Sequence, residues 1–580
     1  MASGAEVRVV AAIRVPLLRR PPPHLEQIPL SLFDVWFLPQ PPIQRLFLYD
    51  DDGGGGGADD YFPSLVESLR SSLADAVAVF FPLAGKLTYV PSTGDVVVDC
   101  SPSAVADGVA FLEAESDGDA RALAEVRVVA ATRVPLLRRP QPHLEQIPLS
   151  LFDAPFVAFP AINRVFFYDD DGGADYPSLV ESLKSSLADT IAVYFPLAGK
   201  LTYLPSTGDV VVDCSPSAVA DGVAFLEVEV DGGTPARTPT ERLDVPAFLR
   251  LVPSLEVPEL PAPVLAVQAT RFVGGGGGGG VAVGVAVHHA VADGQSFWRF
   301  MDAWSVAARG RPSPPAPAFD RSAIVHPMAA DMARRILRKK APELPLIPTA
   351  NLLRRTWERH VVTTLELDSH RIAHIKNRIA ELDEATTASP GTERRPRRLP
   401  STFVAVAALV WSSVVRARAS RQPDDGARAH LVFPADCRRR LDPPVDAAYF
   451  GNCVRCCVAG AAAGDLADAH RGVLHAREAI REAIDGFLEH PMVEAFDAWI
   501  DAVAALVRQP GFVAVTASPR FQVYEVDLGW GAPSRVEFPS ESLPNGMVVM
   551  TAGRKEASVQ VMATLRPEHM EAFRSQLLYW

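Results

Sequence analysis

A long segment of this 580-residue chain is written twice. "EVRVVAAIRVPLLRRPPPHLEQIPLSLFD", starting at Glu6, returns as "EVRVVAATRVPLLRRPQPHLEQIPLSLFD" at Glu125. The match continues through "PLAGKLTY" (Pro82, Pro196) to "VVVDCSPSAVADGVAFLE", which ends at Glu113 and again at Glu227. A solenoid needs three or more stacking units of about 20–50 residues. Two copies, running 6–113 and 125–227 with a shorter Gly/Asp loop in the second, are instead one part of a domain duplicated. Both carry the same apolar pattern, so they seek the same partners, and only one can hold a given place in a sheet. The second copy is continuous with the rest of the chain, and closing a shorter loop costs less entropy, although the cost grows only logarithmically with length. The expectation is that residues 1–119 are a duplicated partial copy without a site, partly formed and exposed. Residues 120–580 then hold the complete unit, long enough for two or three domains.

Composition narrows what that unit is. With 48% hydrophobic and 22% charged residues the chain is globular, and its net charge of -13 leaves no electrostatic footprint for nucleic acid. The basic run "RRPRR" at Arg394–Arg398 is short. No apolar run approaches the roughly 18 residues of a membrane span, and the N-terminus lacks a signal-peptide pattern, so a cytoplasmic protein with no membrane partner is expected. Six cysteines, two of them the duplicated pair Cys100 and Cys214, do not make a disulfide framework. "CVRCC" at Cys453–Cys457 has no second pair at ligand spacing, which predicts a buried strand and no metal site.

From residue 120 onward the pattern alternates. Val-rich strands ("DVVVDC", "LAVQATRF", "VAVGVAV", "HVVTTLEL", "SVQVMATL") lie between helical stretches ("PSLVESLKSSLADTIAV", "DSHRIAHIKNRIAEL", "LADAHRGVLHAREAIREAIDGFL"), which is an α/β chain. The glycine run Gly274–Gly280 lacks the following helix and lysine of a phosphate loop, and reads as a hairpin connection. The Pro-rich stretch 311–350 reads as a crossover linker between a domain at 120–310 and one at 351–580.

"VAVGVAVHHAVADGQSFWRF" (Val281–Phe300) carries the chemistry. A histidine titrates near neutrality, so His289 held beside a hydroxyl can take its proton and return one to a leaving group. Asp293 is four residues on; it either orients the ring or caps the helix that follows, and His288 points elsewhere.

"HHAVADG" resembles the HxxxD signature of the plant BAHD acyl-CoA-dependent acyltransferases, and "VYEVDLGWGAPSRVE" resembles their second signature, DFGWG. Between them "FPADCRRRLDPPVDAAYFGNC" resembles the family's D-x-R segment and the YFGNC motif of its malonyltransferase-like branch. "IPLSLFDAPFVAFPAINRVFFYD" and "LKSSLADTIAVYFPLAGKL" resemble its N-terminal elements, so the resemblance spans 125–580. It implies an α/β fold of two chloramphenicol-acetyltransferase-like domains with mixed β-sheets and a channel at their interface. The last part of the C-terminal domain, 351–580, is then expected to return to the N-terminal sheet. It also implies acyl transfer from CoA, with no permanent cofactor, to a hydroxyl of a phenolic or flavonoid glycoside, with malonyl or an aromatic acyl group favoured. No acyl-enzyme is required, and no G-x-S-x-G elbow is present. His289 is then the general base, and Trp530 a candidate oxyanion donor. Asp293 pairs with Arg438, turned away from the substrate, and Asp527, Gly529 and Gly531 shape the second motif's loop. Ser401 and Thr402 at a helix start, with Arg398, Arg520 and Arg535, are candidates for the CoA phosphates.

Leu528 where the family has Phe, and "TASPRF" for "GSPRF", are departures that bear on substrate shape. A hydroxycinnamoyl transferase acting on another alcohol or an amine, and a non-catalytic binding protein of the same fold, are the alternatives. One channel per chain makes a monomer sufficient.

Overall fold

The computed structural model describes residues 7–18, 21–30, 58–106, 108–116, 126–169, 175–231, 243–255, 258–273, 280–312, 314–348, 359–387, 398–419, 427–540 and 542–580. The glycines 274–279 and the basic residues 394–397 lie outside them. The chain divides into two compact units, Met1–Glu125 and Val126–Trp580.

The first unit repeats the local structure of its duplicate. Strand Val7–Val15 pairs antiparallel with Val109–Ser116, and Gln27–Pro29, Asp95–Asp99 and Lys86–Val90 form a three-stranded sheet. The helix Ala58–Val79 completes it. Its core is small: Val77, Ala84, Cys100 and Val105.

The second unit contains two six-stranded mixed sheets. In one the order is Arg535–Glu537, Ile162–Asp169, Gly280–Val287, Leu265–Val273, Val223–Asp231, Val126–Val134. In the other it is Val361–Leu367, Val559–Leu565, Met547–Ala552, Phe512–Thr516, Arg428–Asp436, Val454–Ala462. Most pairings are antiparallel, whereas Val223–Asp231 runs parallel to Leu265–Val273, and Phe512–Thr516 runs parallel to both Arg428–Asp436 and Met547–Ala552. The segment that crosses between sheets is the three-residue strand Arg535–Glu537, which pairs with Val165–Phe167. The return to the N-terminal sheet expected of the last part of the C-terminal domain is made by this strand, after which Met547–Ala552 and Val559–Leu565 pair in the C-terminal sheet.

Gly280–Val287 is buried along its whole length, and so reads as an unbroken apolar run instead of an alternating one. Gly284 is required within it, because a Cβ there would lie 2.0 Å from the Leu251 carbonyl oxygen. The helix Gly294–Ala308 then places Phe297, Phe300, Met301 and Trp304 on one buried face, at helical spacing. Trp304 Nε1 donates to Ser186 Oγ at 3.1 Å, tying this helix to Tyr176–Val193 from the second repeat.

The Pro-rich stretch is not a plain linker. It contains the helix Ala329–Lys340, whose Met332, Ala333, Ile336 and Leu337 are buried at helical spacing, and the short turn Arg321–Ala323. Its prolines stand outside that helix. Among the described residues, no helix is long and apolar enough to cross a membrane.

Candidate active site

The strand Gly280–Val287 ends at His288, and a turn closed by the Val291 N–H on the His288 carbonyl holds His289 before the next helix begins. Asp293 caps that helix, its Oδ1 accepting from Ser296 N at 2.9 Å. The same carboxylate is held from the other half of the unit. Arg438 Nη1 lies 2.9 Å from Oδ2, Arg438 Nη2 3.1 Å from Oδ1, and Cys453 N donates to Oδ2 at 3.0 Å. Of the two roles the sequence left open, orienting the ring and capping the helix, Asp293 takes the cap, and it makes the expected pair with Arg438 as well. Burial alone would raise its pKa. The Arg438 charge and the N–H donors outweigh burial and hold it below the ordinary carboxylate value. Arg438, fully buried, also reaches Asp436, Ser296 and the carbonyls of Tyr449 and Gly451.

His289 is left without this carboxylate. Its ring stacks on Phe156, with centroids 4.0 Å apart and planes 5° apart, and meets the edge of Phe159 at 6.1 Å. Nδ1 is buried and makes no hydrogen bond. Burial pushes the imidazole down to about 4, against the smaller opposing effects of its own carbonyl and Asp293, so the ring is neutral at physiological pH. His288 is different. It is buried, its Nδ1 accepts from Ala290 N at 3.2 Å, and burial depresses it to about 3. An imidazole already committed to its own turn is a structural residue.

The loop Tyr449–Cys453 joins the two halves. Asn452 donates from its backbone N–H and Nδ2 to Asp153 Oδ1, at 2.8 and 3.0 Å, and from Nδ2 to the His289 carbonyl at 2.9 Å. Asp153 Oδ2 accepts from Ser150 and from Arg321 Nε at 3.2 Å. Ser296 Oγ donates to the Gly451 carbonyl at 2.9 Å and accepts from the Gly451 N–H at 3.1 Å. Asp153, Ser296, Arg321 and Asn452 were not singled out from the sequence. Asp153 lies in the quoted "SLFD", Asn452 in "YFGNC" and Ser296 in the quoted stretch after His289, whereas no quoted string holds Arg321, and all four find partners far along the chain.

Asp527 Oδ1 accepts from the Gly529 and Gly531 N–H groups, both at 2.9 Å. Those glycines have φ of +109° and +84°, values that favour glycine, so carboxylate and glycines together fold the loop back on itself. Leu528 is buried in the core.

Two assignments are corrected. Trp530 stacks on Tyr168 with centroids 5.5 Å apart, and Tyr168 pairs with Val281, at the far end of the strand from His289. Six residues separate Val281 from Val287, about 20 Å at the usual strand rise. The indole therefore is not the oxyanion donor for chemistry at His289. Arg535 is no partner for a CoA phosphate: it is buried, its Nε donates to Glu537 Oε1 at 2.7 Å, and its guanidinium lies over Phe248 at 4.8 Å. Of the remaining candidates, Arg398, Ser401 and Arg520 are exposed and Thr402 half-buried, and Ser401 Oγ caps the helix Thr402–Arg418 by accepting from Val404 N at 3.2 Å.

A family model described as the Transferase family matches residues 20–137 and 138–578. The BAHD acyltransferase DCR of Arabidopsis thaliana is 32% identical over 476 residues, covering 77% of this chain and 90% of that protein. Phenolic glucoside malonyltransferase 1 of Arabidopsis thaliana is 27% identical over 448 residues, covering 73% of this chain and 91% of that one. Among solved structures, vinorine synthase shares the fold, with a TM-score of 0.58 and 20% identity over 78% of this chain and 98% of its own.

Proposed function

The chain belongs to the BAHD acyltransferases of the Transferase family, and from that premise we propose that it moves an acyl group, malonyl or aromatic, from acyl-CoA to a hydroxyl of a phenolic or flavonoid glycoside. One observation carries the chemistry. His289 is neutral, fixed by stacking instead of by a carboxylate, and set in a turn that residues from both halves of the unit anchor. It removes the acceptor's proton as the oxygen attacks the thioester carbonyl. The tetrahedral adduct collapses, the C–S bond breaks, and the proton passes from the imidazolium to the CoA thiolate. Acyl-CoA is a co-substrate here, and the path needs neither an acyl-enzyme nor a resident cofactor.

The Asp293–Arg438 pair has a positioning role. It fixes the start of the helix beyond His289 while drawing the carboxylate away from the ring. Arg398, Ser401 and Thr402 are assigned to the CoA phosphates, because a capped helix start preceded by an exposed cation suits anions, and the exposed Arg520 is retained as a further candidate. Six free thiols accord with a cytosolic setting.

The test is CoA release from malonyl-, acetyl- and coumaroyl-CoA with flavonoid glucosides as acceptors. A general base contributes ~10²–10⁴-fold, so His289→Ala loses at least about 10²-fold in turnover while remaining folded, and His288→Ala loses much less. Equal tolerance of both substitutions, or the reverse ranking, overturns the assignment.

A further inference from the structure

One cation close to the reacting centre has no counter-ion among the described residues. Arg164 stands on the strand Ile162–Asp169 opposite Val285 of the strand that leads to His289. Its guanidinium carbon lies 4.7 Å from the Phe538 ring centroid and 5.5 Å from that of Phe297, in the first turn of the helix Asp293 caps. Nη1 donates to the Asn163 carbonyl at 2.6 Å, while Nε is buried and meets no acceptor. No carboxylate pairs with it among the described residues. Buried guanidiniums elsewhere in the unit are paired, Arg321 with Asp153, Arg438 with Asp293 and Asp436, and Arg535 with Glu537, whereas Arg455, away from His289 on the His490 carbonyl and against Phe487 and Trp499, also has no carboxylate among the described residues.

Arg164 is half-buried, and holding even part of a guanidinium away from water without an anion is costly, yet the group stays cationic there. Burial brings Arg164 down to about 9, which still leaves it charged at neutral pH, and its field depresses the basicity of His289. A planar fork between two aromatic rings offers parallel N–H donors to one carboxylate and apolar walls to the short chain that carries it.

We propose that Arg164 recognises the free carboxylate of a dicarboxylic acyl group, malonyl being the type, and so sets the class of acyl donor. The proposal rests on the acyl-transfer reading above and deepens it. The same chemistry could arrive on a carboxylated acceptor, so the experiment separates the two sources.

Malonyl-CoA and acetyl-CoA binding to the full chain, and CoA release from each, are measured for the unsubstituted protein, Arg164→Met and Arg164→Lys, with acceptors bearing and lacking a carboxylate. Losing one charge-assisted contact predicts that Arg164→Met drops about 10²-fold in malonyl-CoA affinity and kcat/KM. Acetyl-CoA then changes only a few-fold, and Arg164→Lys retains part of the malonyl preference. Should Arg164→Met fail to fold, the lysine variant's retained preference for malonyl-CoA still decides the matter. Three results overturn the proposal: equal binding of both donors by the unsubstituted protein, loss of both donors in equal proportion in the variant, or a carboxylate preference seen only among acceptors. Arg164-dependent malonyl-CoA binding without CoA release for any donor would instead sink the transfer reading and leave the recognition role standing.

Discussion

The two copies of the repeat hold nearly the same residues and make the same local structure, yet they differ in what they bury. The hairpins are alike: Lys86–Val90 pairs with Asp95–Asp99 as Lys200–Leu204 pairs with Asp209–Asp213, and Cys100 N donates to the Glu26 carbonyl as Cys214 N does to that of Glu145. In the first copy, however, Leu69 is 52% exposed, Leu83 75% and Leu87 63%. Their counterparts Leu183, Leu197 and Leu201 are at 0%, 1% and 0%. The difference lies in partners. In the second copy Val223–Asp231 has Leu265–Val273 as a parallel neighbour, and the helix Tyr176–Val193 packs on Gly294–Ala308. Val109–Ser116 in the first copy pairs with Val7–Val15 alone among the described residues. Each leucine left exposed forgoes roughly 1.5–3 kcal/mol. Local propensity thus shapes the strands and turns of both copies, whereas the partner that covers them exists once.

The contrast can be broken at three places. The largest effect is expected in the polar network that only the second unit possesses. Asp293→Asn keeps the helix cap but leaves Arg438 buried with Asp436 alone, and losing one side of a buried pair costs roughly 3–5 kcal/mol. Denaturant unfolding should show that loss together with lower activity. Native stability with no activity would move Asp293 into the chemistry.

Next come the matched leucines. Leu183→Ala should cost about 2–5 kcal/mol, and Leu69→Ala, the same change at the duplicated position, within about 0.5 kcal/mol. Equal costs would mean that the first copy is as well packed as the second.

At neutral pH the smallest effect is that of the site's two imidazoles, which act on stability only once the pH falls below the unfolded histidine value. His289 and His288 are depressed in the fold to about 4 and about 3. Between those values and the unfolded histidine value near 6.5, the unfolded chain binds more protons than the native one. Stability therefore falls as pH is lowered through that window and is unaffected by these groups above it. The base stays deprotonated down to about pH 4, so kcat/KM should not fall near 6.5. Titration of stability and rate from pH 8 to 4.5 tests both, and an acid limb centred near 6.5 would show that His289 is not dehydrated as described.

Residue order alone carried much of this. The unbroken apolar run before His288, the spacing of Asp293 and the acid and glycines of "DLGWG" each lead to the geometry found. What it hid was long-range. Asn452 and Asp153 are 299 positions apart, and nothing local at either marks the other. Arg535 looked available because the strand that buries it is three residues long and joins the sheet of the other half. Trp530 sits in a motif, but which end of a strand it stacks against is decided by register. The helix Ala329–Lys340 was masked by the prolines on either side of it.

The central claim is that the second copy alone completes the acyltransferase. The direct measurement compares the full chain with a truncated chain beginning at Arg121, scoring solubility, thermal unfolding and CoA release. The account predicts a truncated protein at least as soluble, with the same main unfolding transition and undiminished turnover, because every site residue and every partner of Leu183, Leu197 and Leu201 remains. A truncated chain that fails to fold, or that folds but no longer releases CoA, would show that the first copy is what completes the domain.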